Sequence, residues 1–282
     1  GAWVNKLAEI GATDKGATTP IILGWSVSCN QDGNVIAAMA ANYSPVSGLT
    51  ASEAVKLWRW DGTQYVEDTG LTASGKLNVA WSNGGSLALT EDGSVVIVAE
   101  RGGKKLHRID YDGSTWGTPI VIPYATAFPS MDPVLNGAIG RMPTTVSKKD
   151  SYVLGLAGAN SSGGTKNLAV VFKFPDTYIS DSNLVNVEIP MSSGYWCDMS
   201  KTNDYVVLGQ SSLNHQRGQV AVYKLTVEET SITSKLVKTV SGINNTNADG
   251  GGGDRIGSAV AISNDGKYFA FQCANSLSKL AG

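Results

Sequence analysis

Residues 24–40 read GWSVSCNQDGNVIAAMA, in which Trp25, Val27 and Cys29 alternate with small or polar neighbours. A polar turn follows, and after it an apolar run from Val35 to Ala41. Alternation with period two marks a strand with one buried face, a short apolar run marks a strand covered on both, and Asp-Gly between them marks a hairpin. The pattern returns as GSLALTEDGSVVIVAE (85–100), GRMPTTVSKKDSYVLGLA (140–157), GYWCDMSKTNDYVVLGQ (194–210) and GSAVAISNDGKYFAFQC (257–273). Aligned on the acidic residue of the turn, Asp32, Asp92, Asp150, Asp204 and Asp265 stand 60, 58, 54 and 61 residues apart. Each turn is expected to hold two residues, with glycine favoured because such turns need positive φ.

A second hairpin follows the first in most repeats: VKLWRWDGTQYVED (55–68), KLHRIDYDGSTWGTPIVI (105–122), LAVVFKFPDTYISD (168–181) and QVAVYKLTVEETSITSKLV (219–237). No stretch sustains helical periodicity. Repeated units of four strands predict an all-β chain, a β-propeller of five four-stranded blades in one domain. The repeats run over about 24–80, 85–135, 140–190, 194–250 and 257–282 plus 1–10. The first residues, AWVNKLAEI, match the outermost strand of other repeats, Trp3 falling where Tyr65 and Trp116 fall. The N-terminal strand is therefore expected to close the last blade, whose third strand has no clear candidate.

Composition agrees with many strands joined by turns. Charged residues are 16% of the 282, below the roughly 25% of average soluble chains, and 33 glycines exceed the usual share. A net charge of −2 gives no reason to expect nucleic acid or an anionic membrane as partner. No run of about 18 apolar residues occurs, so no membrane insertion is expected. The opening residues have neither a basic segment nor an apolar core, which predicts that any signal peptide has been removed. Cys29, Cys197 and Cys273 are too few and scattered for a disulfide framework or a CxxC metal site, and read as small buried hydrophobes.

The pattern W-x-x-x-x-K-L-x-A, then G-W-S-V-S-x-x-x-D-G-N-V-I-A, then V-x-L-W-R-W-D-G-T-x-Y resembles the FG-GAP-like propeller repeats of integrin α-chain heads and of many bacterial, algal and viral surface proteins. The resemblance implies a propeller in an extracellular adhesion or recognition setting. Integrin-type repeats form seven blades, and several carry a calcium loop, D-x-D/N-x-D/N-G-x-x-D. In SCNQDGNVI, ALTEDGSVV and AISNDGKYF only the acidic residue before glycine matches, whereas calcium wants six to eight oxygens. No cofactor is expected, and calcium would be the exception.

Candidate catalytic sets are thin. YDGSTW (111–116) resembles the sialidase Asp-box, S-x-D-x-G-x-T-W, but Asp112 stands one place too late relative to Trp116. The arginines are only Arg59, Arg101, Arg108, Arg141, Arg217 and Arg255. The plainer expectation is a hairpin turn with Trp116 packed between blades, and Trp25, Trp58, Trp60, Trp81 and Trp196 are assigned to blade packing as well. Of the two histidines, His107 lies in an alternating strand and His215 in the polar loop SSLNHQRGQ, with no GxSxG frame near either. NADGGGGDRIG (247–257) lacks the GK[ST] ending of a phosphate loop.

In a propeller the links between second and third strands, and between blades, share one face. Here they are long: 41–54, 123–140, 157–167, 210–219 and 241–255. Polar loops on a rigid scaffold are where binding resides. Tyr43, Tyr124, Phe128, Asn214, His215, Arg217, Asp254 and Arg255 supply stacking, hydrogen bonds or a bidentate fork there. Sequons at Asn42, Asn160 and Asn244 fall in the same loops. The expectation is a non-catalytic recognition or adhesion module, extracellular or on a virion surface, binding a glycan or a protein. The alternatives are a structural subunit packing against neighbours in a surface assembly, and a hydrolase with a pocket at the propeller axis.

Overall fold

The computed structural model describes residues 22–41, 55–72, 86–100, 105–123, 145–149, 152–160, 167–174, 184–191, 196–201, 204–211, 217–242 and 254–273. The chain divides into two compact units, Gly1–Pro123 and Tyr124–Gly282, each described by itself. In the first, β1 (Ile22–Cys29), β2 (Val35–Ala41), β3 (Val55–Trp60) and β4 (Tyr65–Glu67) pair in chain order as an antiparallel sheet. After a single helical turn, α1 (Thr69–Thr72), a second such sheet holds β5 (Ser86–Leu89), β6 (Val95–Glu100), β7 (Lys105–Asp110) and β8 (Ile120–Pro123). In the second unit, β9 (Thr145–Lys149), β10 (Tyr152–Asn160), β11 (Asn167–Phe174) and β12 (Val185–Met191) form the third sheet. The fourth holds β13 (Trp196–Met199), β14 (Tyr205–Gln210), β15 (Gln219–Val227) and β16 (Ile232–Ser241), and the fifth pairs β17 (Ile256–Ile262) with β18 (Phe269–Cys273).

The all-β expectation and the four-strand repeat agree with this architecture, with one displacement. The fourth strand of the third repeat is Val185–Met191, beyond the LAVVFKFPDTYISD stretch expected to hold it. Residues 1–10 and 274–282, on which the closing strand was placed, lie outside the described residues.

The turns between first and second strands differ from the two-residue expectation. Asn30 N–H donates to Val35 O at 3.1 Å, Gly33 N–H to Asn30 O at 3.1 Å, and Val35 N–H to the Asn30 Oδ1 at 2.9 Å. Four residues therefore separate the last paired positions, and a side-chain oxygen replaces a backbone acceptor. Thr90 with Val95 and Ser263 with Tyr268 repeat all three bonds, while Ser200 with Tyr205 repeats the two that link the ends. The frame thus requires a small polar acceptor at its first position, and three of the four turns carry glycine at φ near +69° three residues on. In the third sheet Lys149 pairs directly with Tyr152, so there only two residues intervene.

This frame corrects one alignment. Counted from Ser200, Asp204 occupies the place of Asn34 rather than Asp32, at φ +54°. Its carbonyl accepts from Leu225 N–H as Asn34 O accepts from Trp60 N–H and Ser94 O from Tyr111 N–H.

The cores lie between sheets. We call the face carrying Val35, Ala37 and Met39 the front of a sheet, and the face carrying Leu87 and Leu89 the rear. In the first unit the front of the first sheet packs Val35, Ala37, Met39, Val55 and Leu57 against the rear of the second, Leu87, Leu89, Val96, Val98, Ile109 and Trp116. In the second unit Ala169, Val171, Ile189 and Met191 meet Cys197, Met199, Val206 and Leu208. There also Val207, Val220 and Val222 of the fourth sheet meet Ile256 and Ile262 of the fifth. Each fully buried side chain of this size contributes about 1.5–3 kcal/mol relative to exposure, so half of every core's stability comes from the neighbouring repeat.

Candidate functional site

Two sites are built from the described residues, one joining sheets and one at the loop-bearing end of the fourth sheet.

The joining site recurs at equivalent positions. In the first unit Ser28 Oγ accepts Leu89 N–H at 3.1 Å, Ser26 Oγ accepts Leu87 N–H at 3.1 Å, and Gln31 N–H donates to Glu91 O at 3.0 Å. In the second, Asp198 Oδ2 accepts Ile262 N–H at 2.9 Å and Lys201 N–H donates to Asn264 O at 3.1 Å. Counted from Asn30, Thr90, Ser200 and Ser263, Ser28 and Asp198 are one position, Leu89 and Ile262 the next, and the backbone bond joins like to like. A third element accompanies these two. A Cβ on Gly93 would stand 2.8 Å from Val35 Cγ2, and one on Gly266 would stand 2.6 Å from the Tyr205 ring. The glycine of each turn lies on the residue that ends the preceding turn, so positive φ and close approach both exclude a side chain there.

Around the second hairpin of each sheet in the first unit, Asp68 Oδ2 accepts from Arg59 Nε at 2.9 Å and from Trp116 Nε1 at 3.0 Å. The Arg59 guanidinium lies 3.9 Å from the Tyr111 ring centroid and 5.4 Å from that of Trp116. This is a cation–π arrangement across two sheets. Trp116 is buried in the inter-sheet core, as expected of the tryptophan after Asp112. Trp58 is buried too and Trp60 half-buried against Tyr65. Trp196 departs from the packing expectation, standing exposed at the start of β13. Trp81 and the side chain of Trp25 lie outside what is described.

The turn aspartates are occupied by their own backbone. Asp112 Oδ1 accepts from Ser114 N–H at 2.8 Å and Thr115 N–H at 2.7 Å, and both hydroxyls also donate to its carboxylate. Thr115 and Ser114 N–H bonds hold its carboxyl well below the usual carboxylate range, and Asp61 is lowered in the same way by Gln64 and Thr63. Asp265 titrates at about 2, held down first by the Ser263 hydroxyl and then by Lys267. Oxygens engaged this way serve the turn, and no group of three or more His, Cys, Asp or Glu able to hold a metal occurs among the described residues.

Of the eight residues expected at the loop face, Tyr43, Tyr124, Phe128, Asn214 and His215 lie outside the described residues. Arg217, Asp254 and Arg255 are described, all half-buried, and their backbones converge. Ile256 N–H donates to Arg217 O at 3.1 Å, Gly218 bridges Ile256 in parallel, and Gly242 N–H donates to Gly218 O at 3.1 Å. The 2–3 loop and the connection to the next sheet therefore finish side by side at one end of the fourth sheet, with Arg255 held at φ +49°. Asp254 raises the Cys273 thiol, second to burial, so the carboxylate faces the end of β18. Two guanidiniums and one carboxylate on adjoining backbone suit recognition of carboxylate, phosphate or hydroxyl groups. Cys197 is deeply buried, with its thiol pushed far up by desolvation, and is unsuited to nucleophilic chemistry.

No family model matches the chain, and no curated protein matches it. Among solved structures, a Lactobacillus plantarum protein superposes with a TM-score of 0.51 at 12% identity over 88% of this chain and 63% of that one. This chain thus spans less than two thirds of that protein's length. The β-propeller domain of Cps50 (Swd1) from Myceliophthora thermophila gives 0.39 at 10% identity over 90% and 80%. The WD40 domain of fission yeast SCAP gives 0.41 at 10% over 75% and 41%. None of these names integrin-type repeats, and the similarities concern the fold alone.

Proposed function

We propose that the chain is a β-propeller recognition module, outside a cell or on a virion surface, that binds a glycan or a protein through the loop-bearing end of its sheets without catalysing a reaction. The observation that carries this reading is the convergence of Arg217, Asp254 and Arg255 on adjoining backbone at that end. Recognition needs convergent polar groups on a rigid frame, and the ladder beneath them supplies one. The FG-GAP-like sequence pattern points to the same setting.

The test is a glycan array followed by binding titrations with Arg217→Ala and Arg255→Ala chains. A ligand whose affinity falls at least tenfold in both variants supports the reading. A ligand indifferent to both places the site elsewhere, and turnover of an arrayed glycan points to the hydrolase alternative.

A further inference from the structure

The two ends of the sheet series carry bare faces where the other sheets are covered. On the rear of the first sheet Val27 is 59% exposed and Cys29 is exposed, whereas their counterparts Leu87 and Leu89, and Cys197 and Met199, are buried. Farther out on that face Ala38 and Trp58 are covered, so the bare strip is confined to β1. On the front of the fifth sheet Tyr268 is 73% exposed, and Ala270 and Gln272 are exposed too. Their counterparts in the first sheet, Val35, Ala37 and Met39, form its buried front. The glycine rule tells the same story. A Cβ on Gly33 would meet nothing within 4 Å, unlike Gly93 and Gly266.

We propose that these bare faces are the two halves of one further inter-sheet junction, formed head to tail between two copies of this chain. The junctions within each unit specify the contacts. The residue ending the turn of one sheet lies beneath the turn glycine of the next, so Tyr268 of one copy lies beneath Gly33 of the other. The first turn residues exchange a backbone bond, so Asn264 N–H donates to Gln31 O. Val27 and Cys29 then take the buried places of Leu87 and Leu89. A second copy is the occupant because the single chain leaves both halves in water, and because such a copy carries the complementary half by construction. The junction is heterologous, with different patches on its two sides, so assemblies grow or close as rings of copies. The inference goes beyond the recognition reading and stands whether or not the loops bind a ligand.

The experiment combines sedimentation velocity across the micromolar to millimolar range with alkylation of Cys29, followed by mass spectrometry. Wild-type chain is expected to assemble with rising concentration, with Cys29 losing reactivity in step. Val27→Asp and Tyr268→Asp chains are each expected to remain monomeric. Mixed in equal amounts, they should form a dimer that grows no further, since each retains the half the other lacks. Protection of Cys197 in every variant reports an intact fold, and Ala270→Asp replaces Tyr268→Asp if that chain fails to fold. A wild-type chain that stays monomeric overturns the proposal whether Cys29 is reactive, leaving the face unused, or protected, covered by its own chain. Assembly that survives Tyr268→Asp or Ala270→Asp overturns it as well.

Discussion

The junction between the first and second sheets and that between the fourth and fifth use the same frame with different side chains. Both join the first turn residues by one backbone bond, of 3.0 Å in one case and 3.1 Å in the other. At the acceptor position, however, the first presents the neutral Ser28 hydroxyl, seconded by Ser26, and the other the Asp198 carboxylate, whose Oδ1 also accepts Met199 N–H. Beneath the turn glycine the first places Val35 and the other the Tyr205 ring. Position therefore fixes the contact and leaves the residue type free, provided the side chain can accept a hydrogen bond or fill the space.

Breaking the shared element should cost most. Gly93→Ala meets both positive φ, about 1–2 kcal/mol, and crowding on Val35, about 1–3 kcal/mol more. Gly33→Ala meets only the first, so urea denaturation should separate them clearly. Equal losses would mean that the close approach carries no weight. Next, Asp68→Ala strips a shared acceptor from Arg59 and Trp116, and is expected to cost about 1–3 kcal/mol with a changed indole fluorescence. An unchanged spectrum would argue against the bond from Trp116.

The acceptor exchange sharpens the comparison. Asp198→Ala removes a charged acceptor worth about 1.5–3 kcal/mol, Ser28→Ala a neutral one worth about 0.5–1.5 kcal/mol. Hydrogen exchange at Ile262 and Leu89 should rise in the respective variants, and more at Ile262. The smallest effect is acid sensitivity. Asp61, Asp112 and Asp265 titrate lower folded than unfolded, so the stability they add is complete above the ordinary carboxylate range near pH 4 and is lost as the pH falls toward about 2. Asp112→Asn should flatten that part of a stability profile, and a profile of unchanged slope would remove Asp112 from the account.

The repeat was legible because alternation, turn and apolar run lie within 17 residues of one another. Its exact register was not. Aligning on acidic residues set Asp204 beside Asp32, whereas the fold aligns on the residue that caps the turn, and Asn30, Thr90, Ser200 and Ser263 share a capability rather than a letter. The fourth strand of the third repeat was missed because VNVEIPM follows a long polar interval that carries no turn signal. Ser28 and Asp198 were invisible as junction residues, since their partners lie 61 and 64 residues away and an isolated serine or aspartate in a strand looks like solvent decoration. Of the loop-face group, Arg217, Asp254 and Arg255 could be placed together from topology alone, because antiparallel order returns alternate links to the same end.

Because every core is shared by two sheets, the described chain has no single centre whose loss ends the fold at once. Pulled from either end in a force spectrometer, such a chain would surrender length in roughly sheet-sized increments, each rupture erasing one shared layer and leaving the next intact. The same arrangement describes how a gene of this kind can lengthen. A duplicated repeat arrives with a front for one neighbour and a rear for another, so an added unit can be accommodated wherever that pair of surfaces already meets.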